Sequence, residues 1–396
     1  MKIGLVGKPN VGKSTFYSAA TLADAAIGNY PFTTIHANVG VAHVRVPDPG
    51  PAFKVVSTPR HGKLAGATRY VPVELVDVAG LVPGAHQGRG LGNKFLSDLS
   101  RADALLHIVD ASGSTDAEGN AMDAGSRDPL EDVRFLPEEV DLWIAGLLED
   151  GWDRLSKKAP QEGKKPEAAL AERLTGIGIG ESRAAAALRD AHLAGTRITD
   201  WKPDDLRRLA EALRRASKPM VTVLNKADLC TPEALARLEA GIAGPKVKAS
   251  AQSELALQKG AQAGLLDYAP GAGDFTVKGS LNPAQAKGME YIRSHVLKPL
   301  GSTGVEAALE AAAFGLLHLI PVFPVEDETH LTDKEGRVLP DCHLVPQGTT
   351  ARELAYRVHT DLGEHFIRAV DCRTHRAIGA DHVLAAGDVV KVFAKA

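Results

Sequence analysis

Cysteine is scarce in this chain: Cys230, Cys342 and Cys372 are the only three among 396 residues, and none lies in a CxxC pair or beside histidines at ligand spacing. That argues against a disulfide-stapled scaffold and a cysteine-based zinc site, and an odd, scattered set suits a reducing compartment. Aromatic residues make up only 5% of the chain, and no run of about 18 apolar residues occurs, so no membrane-spanning helix is expected. Neither sign of charge prevails. Lysine plus arginine number 46 against 49 aspartate plus glutamate, and a net charge of −3 gives no strong pull toward nucleic acid or acidic lipid. Neither DNA nor a membrane is therefore an expected partner. The chain starts directly into KIGLVG, without the charged, apolar and cleavage regions of a signal peptide. A cytoplasmic location is the expectation.

What is present is the composition of an ordinary globular protein, 44% hydrophobic and 24% charged, long enough for two to three domains at roughly 100–200 residues each. Charge is uneven along it: residues 113–151 sum to −9 and residues 152–218 to +5. Short apolar runs at 2–7, 71–76, 104–110 and 219–225 are separated by segments long enough for helices, the pattern of buried parallel strands in an α/β fold. Between the third and fourth runs, Val140, Ile144, Leu147 and Leu148, then Leu206, Leu209, Ala210 and Leu213, recur at helical spacing. This predicts a mostly helical insertion. From His318 onward the texture reads strand, strand, helix, strand, strand, with Thr350 and Glu353 forming a capping box for the helix.

The segment Gly7-Lys8-Pro9-Asn10-Val11-Gly12-Lys13-Ser14-Thr15 follows the first apolar run and precedes a helical stretch, the setting a phosphate-binding P-loop requires. Its backbone N–H groups can converge on an anion at a helix N-terminus, Lys13 can reach the β- and γ-phosphates, and the Ser14 hydroxyl can ligate Mg²⁺. A P-loop alone leaves kinases, ATPases and GTPases open. Asp77-Val78-Ala79-Gly80 then places a carboxylate at a strand's C-terminal edge, able to hold Mg²⁺ through water, and a glycine whose N–H can face the γ-phosphate. Asn225-Lys226-Ala227-Asp228 ends the fourth run, and Asp228 can accept from guanine N1–H and the exocyclic amine, where adenine offers neither donor. Downstream, Ser250 and Ala251 stand where a backbone N–H would contact the guanine oxygen, and Thr33 and Thr34 offer a hydroxyl to complete the Mg²⁺ shell in a switch segment.

Taken together, GKPNVGKST, NYPFTTIHANVG at 29–40 and DVAGLVPGAHQGRGLGNKF at 77–95 resemble the Obg-related GTPases, specifically the YchF-type branch, and the likeness covers nearly the whole chain. The resemblance implies a P-loop G domain, a mostly parallel sheet with helices on both faces, in two parts at 1–112 and 203–317. It further implies a helical insertion at 113–202 and a C-terminal β-grasp module, the TGS domain, at 318–396. Members are translation-associated switches that bind GTP or ATP, and the branch often departs from NKxD and prefers ATP. This chain keeps Asp228, which favours GTP and looks more like archaeal members. By resemblance Thr34, rather than Thr33, is the switch threonine, and Leu81 stands where Ras-type GTPases carry a water-orienting glutamine.

Leu81 cannot hold water by hydrogen bonding, so His86, Gln87 and Arg89 in the same switch are the local candidates, His86 first for its near-neutral pKa. Asn10 can help hold a monovalent cation beside the phosphates, and in similar GTPases this asparagine marks potassium dependence; the alternative is a brace for the turn after Pro9. Arg154, Lys157, Lys158, Lys164, Lys165, Arg207, Arg208, Arg214 and Arg215 are either an RNA-phosphate surface or solvated helix faces, and only Trp152 and Trp201 lie among them for stacking. The expectation is a cytoplasmic, monomeric GTP/GDP-binding switch with Mg²⁺ and possible K⁺, hydrolysing GTP slowly and docking on the ribosome or structured RNA. Two alternatives stay open: an adapter in which hydrolysis only resets docking, and an ATPase of the same fold.

Overall fold

A computed structural model describes residues 1–22, 39–78 and 98–395. Its central sheet has seven strands: β1 Lys2–Val6, β2 Val39–Pro47, β3 Lys63–Ala65, β4 Thr68–Asp77, β5 Ala104–Asp110, β6 Met220–Asn225 and β7 Lys246–Lys248. The order is β2-β4-β1-β5-β6-β7, with β3 on β4. The expected buried runs become β1, β4, β5 and β6, which pair in parallel. Their register sets Leu5 beside Asp77 and Asp110 beside Asn225, so the loops leaving β1, β4, β5 and β6 gather at one carboxyl edge, where α/β sheets bind ligands. β2 was not anticipated, and it runs antiparallel to β4 through nine pairs. Its signal, VGVAHVRV, is β-branched but interrupted by Arg45, whose guanidinium is held by Glu310 at 2.6 Å.

Helices cover both faces. Ile3 and Leu5 of β1 point to one side, where α1 Lys13–Thr21, α7 Ala251–Gln262 and α9 Val305–Glu310 pack. Val6 points to the other, against α2 Pro129–Glu149 and α6 Pro203–Ser217. Both α2 and α6 also bury an outer layer, α3 Trp152–Gln161, α4 Pro166–Leu174 and α5 Glu181–Asp190, and these helices account for the strand-free insertion. The start of α2 is set by Asp128, which caps Leu130 N–H, and by Pro129, whose missing N–H costs nothing there. α8, Pro283–Ile292, reaches the turn after β6 through Tyr291 and is tied down through Ile292, which shares a cluster with Leu257 of α7.

The C-terminal unit is a five-stranded sheet, β11-β10-β14-β12-β13, formed by β10 Leu319–Val325, β11 His343–Pro346, β12 Phe366–Asp371, β13 Arg376–Ile378 and β14 Val389–Ala394. It wraps α10 Ala351–Val358, whose capping box joins Thr350 and Glu353 in both directions, and carries a short second helix, Thr360–Glu364. This unit shares core with the central sheet: Phe323, Leu331, Leu339 and Val389 pack in one cluster with Val44 and Val71. Arg69, 1% exposed, crosses the joint to donate to the carbonyls of Leu339 and Pro340 at 2.5 and 2.6 Å. Among the described residues no helix is long and apolar enough to cross a membrane.

Candidate nucleotide site

The P-loop turns from β1 into α1 through positive φ at Gly7 (155°), Asn10 (61°) and Gly12 (89°). A β-carbon at Gly7 would stand 2.6 Å from the Ile108 carbonyl oxygen, and one at Gly12 would stand 2.3 Å from Asn225 Nδ2. Glycine at these two positions is what lets β5 and β6 close on the loop. Ser14 and Thr15 follow Lys13 in the first turn of α1, where N–H groups without helical partners and the positive end of the helix dipole lie. Lys13 Nζ is 2.6 Å from Asp77 Oδ1, so the phosphate lysine and the carboxylate of the second motif are in contact. The Asp77 carboxylate and the Ser14 hydroxyl are hard oxygen donors of the kind Mg²⁺ takes.

Asn225 joins three loops. Its Nδ2 donates to the Val11 carbonyl at 2.9 Å, and its Oδ1 accepts from Ala251 N–H at 3.1 Å. Ser250 N–H donates to the Thr303 carbonyl at 2.9 Å. Both amides expected to contact the guanine oxygen are thus engaged within the protein, because they fix the N-terminus of α7 against its neighbours. A base would have to share the Ala251 donor with Asn225.

Lys226 sits in the left-handed region and donates to Asp110 Oδ2 at 2.8 Å. Asp110 is 1% exposed and also accepts from Ser112 and Ser114. Burial opposes its charge, but the hydrogen bonds from Lys226, Ser112 and Ser114 outweigh it and hold the carboxyl below the usual range. Asp228 lies half-buried in the turn Ala227–Leu229 that follows. Its backbone oxygen and Oδ2 each accept from the Tyr291 hydroxyl at 3.3 Å.

The segment after β5 straps the P-loop from outside. Lys8 Nζ donates to the Thr115 carbonyl at 2.9 Å and pairs with Asp132 of α2 at 2.5 Å, both side chains almost wholly buried. Asn10 Nδ2 donates to the Gly119 carbonyl at 2.9 Å, while its Oδ1 has no partner among the described residues. Gly7, Asn10, Val11, Gly12, Lys13, Ser14, Thr15, Asp77, Asn225, Lys226, Asp228, Ser250 and Ala251 therefore gather at one edge of the sheet. Thr33, Thr34, Gly80, Leu81, His86, Gln87 and Arg89 lie outside the described residues. Sequence reasoning missed Lys8, Asp110, Asp132 and Tyr291. Only Asp110, a carboxylate ending a buried strand, carried a readable signal.

A glycine-rich loop between β1 and α1, a carboxylate ending β4 and an NKxD turn ending β6 define a P-loop GTP-binding protein. Residues 2–133 match the family described as "50S ribosome-binding GTPase", residues 223–327 match the "Obg-like GTPase YGR210-like, G4 motif-containing domain", and residues 329–394 match the TGS domain. An uncharacterized GTP-binding protein of Methanocaldococcus jannaschii is 45% identical across 100% of this chain and 99% of its own. Another, of Schizosaccharomyces pombe, is 37% identical across 90% and 89%. The chain belongs to the Obg-related, YchF-type family of GTP-binding proteins. The crystal structure of a GTP-binding protein from Pyrococcus horikoshii superposes with a TM-score of 0.80 at 39% identity, covering both chains fully. The Schizosaccharomyces pombe YchF GTPase, at 20% identity and a TM-score of 0.59 over 99% of this chain and 97% of its own, shares the fold.

Proposed function

We propose that this protein is a monomeric, cytoplasmic guanine-nucleotide switch that hydrolyses GTP slowly and docks on the ribosome or a structured RNA according to the bound nucleotide. The observation that carries the reading is Asn225 tying the P-loop to the α7 loop, three residues before Asp228, which supports phosphate and base recognition at one edge. Lys13 would exchange Asp77 for the phosphates. The Ser14 hydroxyl and Thr34 would hold Mg²⁺ directly and Asp77 through water; the ion neutralises charge on the β- and γ-phosphates when bound. Asp228 would accept from guanine and reject adenine, against the ATPase alternative. Gly80 N–H and Thr34 would face the γ-phosphate, His86 would position water, and Leu81 would leave turnover slow. Asn10 Oδ1, its amide nitrogen already held by Gly119, would be free to ligate K⁺.

Docking would use the helical layer. Lys158, Lys164, Arg208, Arg214 and Arg215 pair with neighbouring carboxylates, whereas Arg154, Lys157, Lys165 and Arg207 make no ion pair among the described residues. Trp152 and Trp201 stack on each other with centroids 5.6 Å apart, which leaves them poor platforms for bases. The strap Lys8–Asp132 favours the adapter reading, since it joins a helix of the insertion to the phosphate loop. The deciding measurement is single-turnover hydrolysis of GTP and ATP with and without ribosomes, in potassium and in sodium. Slow GTP-selective turnover, faster in potassium, is expected. Equal use of ATP and GTP overturns the guanine assignment, and equal rates in the two salts remove K⁺. Charge neutralisation at Arg154, Lys157, Lys165 and Arg207 should weaken ribosome cosedimentation and flatten its salt dependence; unchanged cosedimentation would place docking elsewhere.

A further inference from the structure

We propose that Tyr291 is a positioning residue for guanine recognition, holding the Asp228 carboxylate in the orientation that receives the base. The inference rests on Asp228 being the guanine acceptor. Tyr291 stands in the last turn of α8, far from the phosphate motifs in sequence. Its hydroxyl bridges the backbone oxygen and Oδ2 of Asp228, both at 3.3 Å, and so ties the side chain to its own main chain. An aspartate side chain on a half-buried turn otherwise rotates about two bonds, and ordering it on binding costs affinity. A carboxylate offers about four lone-pair sites, so Oδ2 can accept from the phenol and still accept from guanine.

The phenol is itself held. Its ring stacks on His295 with centroids 4.4 Å apart and planes 12° from parallel, and His295 Nδ1 lies 2.8 Å from Ser294 Oγ. His295 falls in a π-helical turn, Arg293–Leu297, that continues α8. Such turns are rare and recur at functional sites, because the extra residue re-aims neighbouring side chains. Val296 and Leu297 of that turn are buried with Leu257 of α7, and Arg293 pairs with Asp274 at 3.1 Å. The anchorage ties Tyr291 to α7, whose N-terminus Asn225 already joins to the P-loop.

The test is a double-mutant cycle on the full-length protein, read as GDP affinity by competition against a fluorescent GDP. Tyr291→Phe keeps the ring and its stack, and it should weaken GDP about three- to tenfold, the usual weight of one hydrogen bond. In an Asp228→Asn background the same change should cost less than about twofold, because the carboxylate it orients is gone. An unchanged GDP affinity in Tyr291→Phe overturns the proposal. An equal loss in both backgrounds also overturns it, since that marks a purely structural role. If Asp228→Asn itself keeps full GDP affinity, the guanine assignment fails first; a loss there with no effect of Tyr291→Phe defeats this inference alone.

Discussion

Lys13 and Asp77 neutralise each other: the ammonium lies 2.6 Å from the carboxylate, with both side chains partly shielded from water. On the proposed role of Lys13, entry of a nucleotide would exchange one anion on it for another. Asp77→Asn should free the lysine and raise GDP affinity in metal-free buffer by about tenfold, while shrinking the gain from added Mg²⁺. Calorimetry with chelator and then with Mg²⁺ reads both effects. An unchanged metal-free affinity would show that the ion pair does not compete with phosphate.

Asn225→Ala removes the shared partner of Val11 and Ala251, two backbone groups that are otherwise buried. The expected loss is about 1–3 kcal/mol of stability by denaturant titration, the cost of leaving such groups unsatisfied. GDP affinity should fall with it, although the amide is already occupied by protein.

The buried pair Lys8–Asp132 joins the P-loop to the helical layer. Asp132 also pairs with Arg127 at 3.2 Å, so Lys8→Met leaves the buried carboxylate one partner and should cost about 1–3 kcal/mol, whereas Lys8→Met with Asp132→Leu should recover part of it. If the recovered double variant also loses the dependence of ribosome binding on nucleotide, the strap carries the signal; retained dependence means another element does.

His107 on β5 is 4% exposed, and burial pushes its pKa down from 6.5 to about 3. It is neutral in the fold and takes up a proton more readily when unfolded. Its contribution is present above pH 6.5 and is lost as pH falls through that value toward about 3, by up to about 1.4 kcal/mol per pH unit. His107→Leu should flatten this acid limb of the unfolding free energy; an unaltered slope would assign it to other groups.

The C-terminal unit cannot be probed by deletion. Cutting before His318 would strip Phe323, Leu331, Leu339 and Val389 from a core they share with Val44 and Val71. Burying each large apolar side chain is worth about 1.5–3 kcal/mol, so such a truncation would destabilise the G domain itself. Surface substitutions on β12 to β14 are the workable route.

By itself the sequence determined the P-loop, Asp77, the NKAD turn, four parallel strands, the helical insertion and the capped helix of the C-terminal unit. All of these rest on local rules: glycine's access to positive φ, hydrophobic period, and caps within a few residues. Antiparallel β2 was not legible, because Arg45 interrupts its apolar pattern and finds its carboxylate 265 residues away. The tertiary structure alone decided that Asn225 serves the loops, that Lys8 reaches Asp132 and that Tyr291 meets Asp228. Those contacts join segments 214, 124 and 63 residues apart in the chain. No local preference encodes them; they follow from the register that brings four strand ends to one edge and from the buried polar groups that must find partners there.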